Sequence, residues 1–350
     1  MFTSFLHQLG PWLCGQGPES EIVISSRVRL ARNISGYPFK SKATEEDRQR
    51  IEELLHQTMP KILDPESYYE LDMESLSPLD RHLLQERQLI SREIADAEGP
   101  RAAFVAKDES FSIMVNEEDH LRMQAMTSGL DLLKVWGRIN DLDDRIESCL
   151  SYAFSPELGY LTACPTNVGT GLRVSVMLHL PAVTFVQEIE KVFRGLQKLN
   201  LAVRGIYGEG SQALGDFYQI SNQITLGRSE EELIQQVREI VDRIVQYEHK
   251  ARETLLQNDR EMLLDKAARS LGLLQNARTM SSEEAMHLLS SIRLAVNLKI
   301  IDVPTIPLVN ELLLFIQPAH LQKLSGTELS AAERDLARAE FLRRKLENIE

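Results

Sequence analysis

The sequence is short of basic charge, of cysteine and of long apolar runs, and each shortage removes a class of protein. Its 350 residues carry 39 Lys and Arg against 52 Asp and Glu, a net charge of −13. That balance excludes a nucleic-acid binder working through bulk basic charge. It leaves room for a local anion site, and it suits a protein whose targets are cationic. The three cysteines, Cys14, Cys149 and Cys164, form no CxxC pair. A disulfide scaffold or structural zinc site is therefore not expected, and a reducing, cytoplasmic setting is. No stretch reaches the roughly 18–20 apolar residues of a membrane span. No N-terminal segment has the pattern of a secretion signal. The P-loop pattern GxxxxGK[ST] is also missing.

Glycine is scarce in the last third. Nine of the 18 glycines fall between Gly159 and Gly227, and only Gly272 and Gly326 follow. Glycine allows the positive-φ turns and close backbone approaches that ligand loops need. Sites are therefore expected before residue 227, and helical scaffold after it. Charge divides similarly. Residues 251–350 hold 13 basic and 14 acidic residues, so a net of −12 lies in the first 250.

What is present is ordinary for a soluble globular chain: 43% hydrophobic and 26% charged. The length suits two domains, or one large domain with an appendage. Glu21–Leu30 has the β-branched alternation of a strand, and Arg101–Asn116 suggests a hairpin. Glu45–His56, Leu130–Leu150 and Pro181–Leu199 have helical spacing. Leu172–Leu178, Ala202–Tyr207 and Gln219–Leu226 look like strands. This mixture predicts an α+β fold with a mostly antiparallel sheet flanked by helices. After Ser229 the pattern is helical. Ser229, Ser281 and Ser330 each precede a Glu by three residues, the capping-box spacing. The expected division is a catalytic unit over 1–254 and an all-α unit over 255–350.

Four segments carry candidate chemistry. Arg27 and Arg29 alternate with Val28, so in a strand they share a face. Two cations together suit a polyanion, or they protect an edge strand. Asn116–His120 (NEEDH) sets three carboxylates in a row. They are a solvated helix start, or they hold a cationic substrate and take its proton. Cys164–Gly171 (CPTNVGTG) is a turn-rich loop followed by Arg173. It is a hairpin turn with an inert cysteine, or it presents amides to an anion. Arg204–Gly210 (RGIYGEG) is a strand exit with a surface ion pair, or part of a site.

In this order, SSRVR, NEEDHxR, CPTNxGTGxR and RGxxGE resemble the phosphagen (guanidino) kinase family. The resemblance runs from Ser25 to Glu209 and continues to about residue 254. It is closest to the bacterial branch that phosphorylates arginine on proteins. SSRVR begins at residue 25, leaving no room for the helical domain that precedes it in small-molecule guanidino kinases. The extra helical unit lies at the C-terminus, where Arg334–Ala339 (RDLARA) matches a motif of that branch.

The resemblance implies transfer of the γ-phosphoryl of ATP to a guanidinium nitrogen, with Mg²⁺ held mostly by phosphates and water. Glu118 is the implied base, Glu209 a second guanidinium clamp, and Cys164 an orienting group rather than a covalent nucleophile. Arg27, Arg29, Arg122, Arg173 and Arg204 are the implied phosphate cations. Ser25, Ser26, Val28, Gln88, Val174, Ser175, Val176, Met177, Gly205, Ile206, Tyr207 and Gly208 complete the implied nucleotide-binding set. No protein metal ligands are implied. Gln88 departs from the histidine common in relatives, which bears on the adenine side. Arg334, Asp335 and Arg338 are the implied phosphoarginine site.

Implied partners are protein substrates with exposed arginines, a Clp ATPase, a heat-shock repressor, an activator protein and a second copy of the chain. Nucleic acid and membrane are not expected. Two rivals stand beside this reading: a kinase of free arginine or another small guanidino compound, and a non-enzymatic phosphoarginine reader.

Overall fold

The computed structural model describes residues 5–205 and 214–347. The expectations for Ile206, Tyr207, Gly208 and Glu209 lie outside the described residues. In chain order, the structure begins with β1 (Val23–Arg32), α1 (Glu45–Ile62), β2 (Tyr68–Asp72), α2 (Pro78–Glu86) and α3 (Arg92–Asp96). Next come β3 (Ala102–Ala106), β4 (Phe111–Val115), β5 (Leu121–Ser128) and α4 (Leu132–Glu147). A short hairpin, β6 (Phe154–Ser155) and β7 (Gly159–Tyr160), precedes β8 (Leu172–His179). Then follow α5 (Pro181–Phe185), α6 (Ile189–Lys198), β9 (Leu201–Gly205), β10 (Phe217–Asn222) and α7 (Glu230–Asn258). The remaining helices are α8 (Arg260–Asn276), α9 (Ser282–Asn297), α10 (Ile306–Phe315), α11 (Pro318–Ser325) and α12 (Ala331–Leu346).

Eight strands form one antiparallel sheet in the order β2-β3-β4-β5-β1-β8-β10-β9. The expected α+β class is observed, with helices on both faces. On one face Val28 and Leu30 of β1 join Leu121 and Met123 of β5 and Leu172, Val174 and Val176 of β8. They pack against Ile51 and Leu55 of α1, Val135 and Ile139 of α4, and Val237 and Val241 of α7. All are essentially buried. Burying each such side chain is worth about 1.5–3 kcal/mol. A one-residue slip of β1 would exchange Val28 and Leu30 for Arg27 and Arg29, so the alternation sets the register.

The second face is shared. Ile24, Met126, Met177 and Phe217 pack with Met286, Leu289 and Phe315 of the C-terminal helices. The rest of that face carries arginines. β1 is a central strand between β5 and β8, which overturns the edge-strand reading of Arg27 and Arg29. The N-terminal segment is tied to the C-terminal unit by buried Arg293, which donates to the carbonyls of Ser20 and Glu21 at 2.8 Å each. Among the described residues, no helix is long and apolar enough to cross a membrane.

Several elements differ from expectation. The helix expected over Pro181–Leu199 is broken at Gln187, whose φ is +61°. The long helix after Ser229 ends at Asn258, and α8 restarts after Asp259. Ser229 and Ser330 form capping boxes. Ser281 caps α9 by accepting from the Glu284 amide.

Candidate active site

β5 places the NEEDH segment. Asn116 ends β4 in the left-handed region, φ +58°, a conformation asparagine tolerates. The chain turns and enters β5, with Arg122 and Gln124 on the arginine face and Leu121 and Met123 in the core. The segment is therefore a strand-to-strand turn. The solvated helix start fails because the apolar period after His120 is two, not 3.6.

The three carboxylates have different surroundings. Glu117 is fully buried. It accepts from Arg122 Nη1 at 2.5 Å, from Ser91 Oγ at 2.6 Å and from the Glu118 amide at 2.6 Å. Burial alone would raise its pKa, but Arg122 and these donors outweigh it and hold Glu117 below the usual carboxyl range. Asp119 is also buried, and accepts from Asn33 Nδ2 and the Ala163 amide at 2.6 Å each. Burial raises it despite those bonds. Glu118 faces the cleft, half-buried. Burial, then the charges of Asp119 and Glu117, push its pKa up, while a hydrogen bond with Cys164 opposes the shift.

The Cys164 loop is laid down by backbone contact. A Cβ on Gly169 would come within 2.5 Å of the Thr225 carbonyl, and one on Gly171 within 2.5 Å of the Ala31 carbonyl. Thr225 Oγ1 donates to the carbonyls of Thr166 and Val168. Arg32 Nη1 donates to the Thr170 carbonyl at 2.8 Å, while its Nη2 pairs with Asp143 at 2.7 Å. The amides of Asn167, Val168, Gly169 and Thr170 all bond to carbonyls within the loop or beside it. The expectation that this loop presents amides to an anion is therefore corrected for these four. Cys164 Sγ lies 3.0 Å from Thr166 Oγ1.

The arginines converge from four strands. Arg29 is paired across the sheet with Gln124 on β5 and Arg173 on β8. Arg27 donates to Ser175 Oγ, Gln88 Oε1 and Gln219 Oε1 at 3.1–3.3 Å. Arg173 donates to Asn167 at 3.2 Å. Burial, then Arg122 and Arg204, push Arg27 down to about 10. Burial, then Arg27, Arg122 and Arg173, hold Arg29 well below the usual guanidinium range, and its Nε is buried without a partner. Like charges held this close are relieved by a bound polyanion.

One cleft of about 720 Å³ brings the two sets together. It is lined by Arg29, Arg122, Arg173 and Arg204, and by Glu118 and Cys164. A second, of about 590 Å³, shares Arg29, Arg122 and Arg204 and adds Arg27 and Gln88.

Not every expected residue reaches this space. Val28, Val174 and Val176 point into the opposite core, because strand alternation sends them away from the arginines. Ser26 Oγ donates to the Gly129 carbonyl and accepts from the Asp131 amide, so it shapes the turn before α4. Met177 packs against the C-terminal helices. Ser25 and Ser175 line a small recess beside Arg27. Gly205 ends β9 beside Tyr218. Glu117, Asp119 and Asn33 were given no separate roles by sequence; their signal was a carboxylate triplet beside a strand.

The C-terminal motif is also not uniformly open. Arg338 is 1% exposed and donates to the carbonyls of Ile316 and Met280 and to Asp335. Arg334 and Asp335 are half-buried, near the start of α12. Arg334 and Arg338 therefore do not present equivalent guanidinium groups.

The family described as ATP:guanido phosphotransferase, C-terminal catalytic domain, matches residues 49–251. The chain belongs to this family of phosphotransferases. Residues 260–350 match the family described as the protein-arginine kinase McsB C-terminal domain. A protein-arginine kinase of Pelotomaculum thermopropionicum is 45% identical over 341 residues, covering 97% of this chain and 96% of that one. One from Bacillus cereus is 44% identical over 340 residues, with the same coverage. Among solved structures, a lombricine kinase superposes with a TM-score of 0.58 at 27% identity, over 70% of each chain. The duplicated taurocyamine kinase of Schistosoma mansoni gives 0.61 at 25% identity, over 70% of this chain and 35% of that one. This phosphotransferase is thus similar to lombricine and taurocyamine kinases over 70% of its length, and to protein-arginine kinases over 97% of it.

Proposed function

We propose that the chain transfers the γ-phosphoryl group of ATP to arginine side chains of other proteins. The observation that carries this reading is the shared cleft, lined both by Arg29, Arg122, Arg173 and Arg204 and by Glu118 and Cys164. The arginines bind and neutralise the triphosphate. Glu118 orients the acceptor guanidinium and takes one proton from the attacking nitrogen. Its raised pKa makes it a stronger base than a solvated carboxylate. The nitrogen then bonds to the γ-phosphorus, the bond to the β–γ bridging oxygen breaks, and ADP leaves. Cys164 steadies the guanidinium through its contact with Glu118. Glu209 is the proposed second clamp. Positioning of this kind carries much of the rate in phosphoryl transfer.

Magnesium fits the site through the nucleotide. Among the described residues, the one cluster with ligand spacing is Glu19, Glu21 and His249, none of which lines either cleft. Bound to phosphate oxygens and water, Mg²⁺ would neutralise charge on the transferred group.

Arg334 and Asp335 are the proposed phosphoarginine contacts, Arg for phosphate and Asp for guanidinium. Arg338 then acts by holding Asp335 in place. The cellular role proposed from the resemblance is marking proteins for a Clp protease in the cytoplasm. A heat-shock repressor, an activator protein and a second copy of the chain are the proposed partners.

The test uses labelled ATP, magnesium, and either an unfolded protein or free arginine. The expected product is label on protein that mild acid removes and alkali does not, the behaviour of an N–P bond. Label only on free arginine, or none on either, overturns the proposal.

A further inference from the structure

The second cleft runs from the same arginines in the other direction, toward the C-terminal helices. Its inner end is cationic. Away from those arginines the lining is mixed: Gln88 and Gln219 and the charged Glu86, Arg92 and Glu93 on the N-terminal side, and the uncharged Ser282, Pro318 and Gln322 on the C-terminal side. The volume, about 590 Å³, is that of a small-ligand site. A nucleotide suits such a chamber, with its anionic chain at the arginines and its hydrogen-bonding base and sugar toward Ser282 and Gln322.

Two polar links join the two sides of this chamber, the larger of them at Glu86. Glu86 ends α2, two positions before Gln88. Its carboxylate accepts from the Ala319 amide at 2.6 Å, the His320 amide at 3.0 Å and His320 Nδ1 at 2.7 Å. The two amides belong to the first turn of α11, where backbone donors have no partner within the helix. Lys323 of α11 pairs with Asp80 of α2 at 2.6 Å. On the other side, Gln88 accepts from Arg27 at 3.1 Å, and its carbonyl accepts from Gln124 at 2.6 Å. The groove contact at Gln88 and the α11 contact at Glu86 thus lie two residues apart on one short stretch of backbone at the end of α2.

We propose that the C-terminal helices form a wall of the nucleotide site, and that Glu86 is the residue that positions that wall. The chamber between α2 and α11 holds the base and ribose, and the arginines hold the phosphates. The inference rests on the reading of the arginine groove as the nucleotide site. It adds that nucleotide affinity depends on a unit outside the phosphotransferase fold proper.

Two ligands separate the two ends of the site. ADP fills both, whereas inorganic tripolyphosphate fills only the arginine end. In Glu86→Gln the side-chain carbonyl can keep one α11 amide, while the new N–H faces the other donor, so the α11 contact is weakened. The second variant, Ser282→Trp, places a ring in the chamber from the C-terminal side; no side-chain hydrogen bond of Ser282 is lost with it. Calorimetric titration is expected to show ADP binding about tenfold weaker in each variant, with tripolyphosphate unchanged. Removing a negative charge beside the groove would by itself tighten both ligands, so the sign separates positioning from simple electrostatics.

Unchanged ADP affinity in both variants overturns the inference. So does an equal loss for both ligands, which marks general damage. Arg29→Gln tests the underlying reading separately and is expected to weaken both ligands. If it weakens neither, the nucleotide assignment itself fails.

Discussion

Replacing Glu117 with glutamine takes away the counter-charge of Arg122 while keeping the shape of the side chain. Breaking a fully buried ion pair costs roughly 3–5 kcal/mol. Arg122 retains 21% exposure while Glu117 has none, so water recovers part of that loss, and about 2–3 kcal/mol is expected. The glutamine carbonyl still accepts from Ser91 or from the Glu118 amide. The loss is therefore confined largely to Arg122, which then faces Arg27 and Arg29 without its carboxylate.

The same substitution acts on Glu118. Its pKa is raised first by burial, then by Asp119 and Glu117. Removing the Glu117 charge lowers it. If Glu118 is the base, activity needs its ionised form, and the acid limb of the pH–rate profile moves to lower pH. Glu117 itself is held below the usual carboxyl range. Its contribution to stability is thus full above that range and is lost as pH falls through its folded pKa. The wild type should lose this extra stability in acid, and the variant should have none to lose. The checks are chemical denaturation as a function of pH, and initial rates of protein phosphorylation. A stability loss below about 0.5 kcal/mol, the scale of an ordinary surface change, refutes the account of the pair. An acid limb that moves upward refutes the assignment of Glu118.

Two further outcomes follow from the site. Cys164→Ser is expected to slow phosphoryl transfer without abolishing it, because Glu118 and the arginine cluster remain; an unchanged rate removes the thiol from the mechanism. Arg334→Ala combined with Asp335→Ala is expected to abolish binding of free phosphoarginine, measured by calorimetry, and any stimulation it gives. Retained binding places that ligand elsewhere.

Much of the site was legible because strand alternation is a strong signal. Arg27, Val28 and Arg29 divided between two faces as a period of two requires. Capping at Ser229 and Ser330 was local chemistry and appeared as expected. The failures have a common cause in tertiary context. The carboxylates of NEEDH suit a helix start as well as a turn, so that segment alone leaves both readings open. In the Cys164 loop the amides of Gly169 and Thr170 have partners, Tyr160 and Thr225, that lie in other segments, which no local pattern reveals. Val174 and Val176 entered the nucleotide set through their place in a motif, although their parity with Arg173 already sends them to the other face. The buried state of Arg338 depends on the carbonyls of Ile316 and Met280, which no helix pattern in α12 reveals.

The shared second face of the sheet constrains how such a chain can change over generations. Ile24, Met126, Met177 and Phe217 lie in the sheet, yet apart from Trp12 and Leu13 most of the cluster that covers them comes from Leu274 onward. A lineage that dropped the helical unit would leave an apolar half-sheet bare next to a cationic groove, a surface prone to self-association. Losing it harmlessly requires all four positions to turn polar together, while no single one of those changes helps first. The appended unit is thus locked in by the sheet it covers, independently of any advantage it brings to regulation.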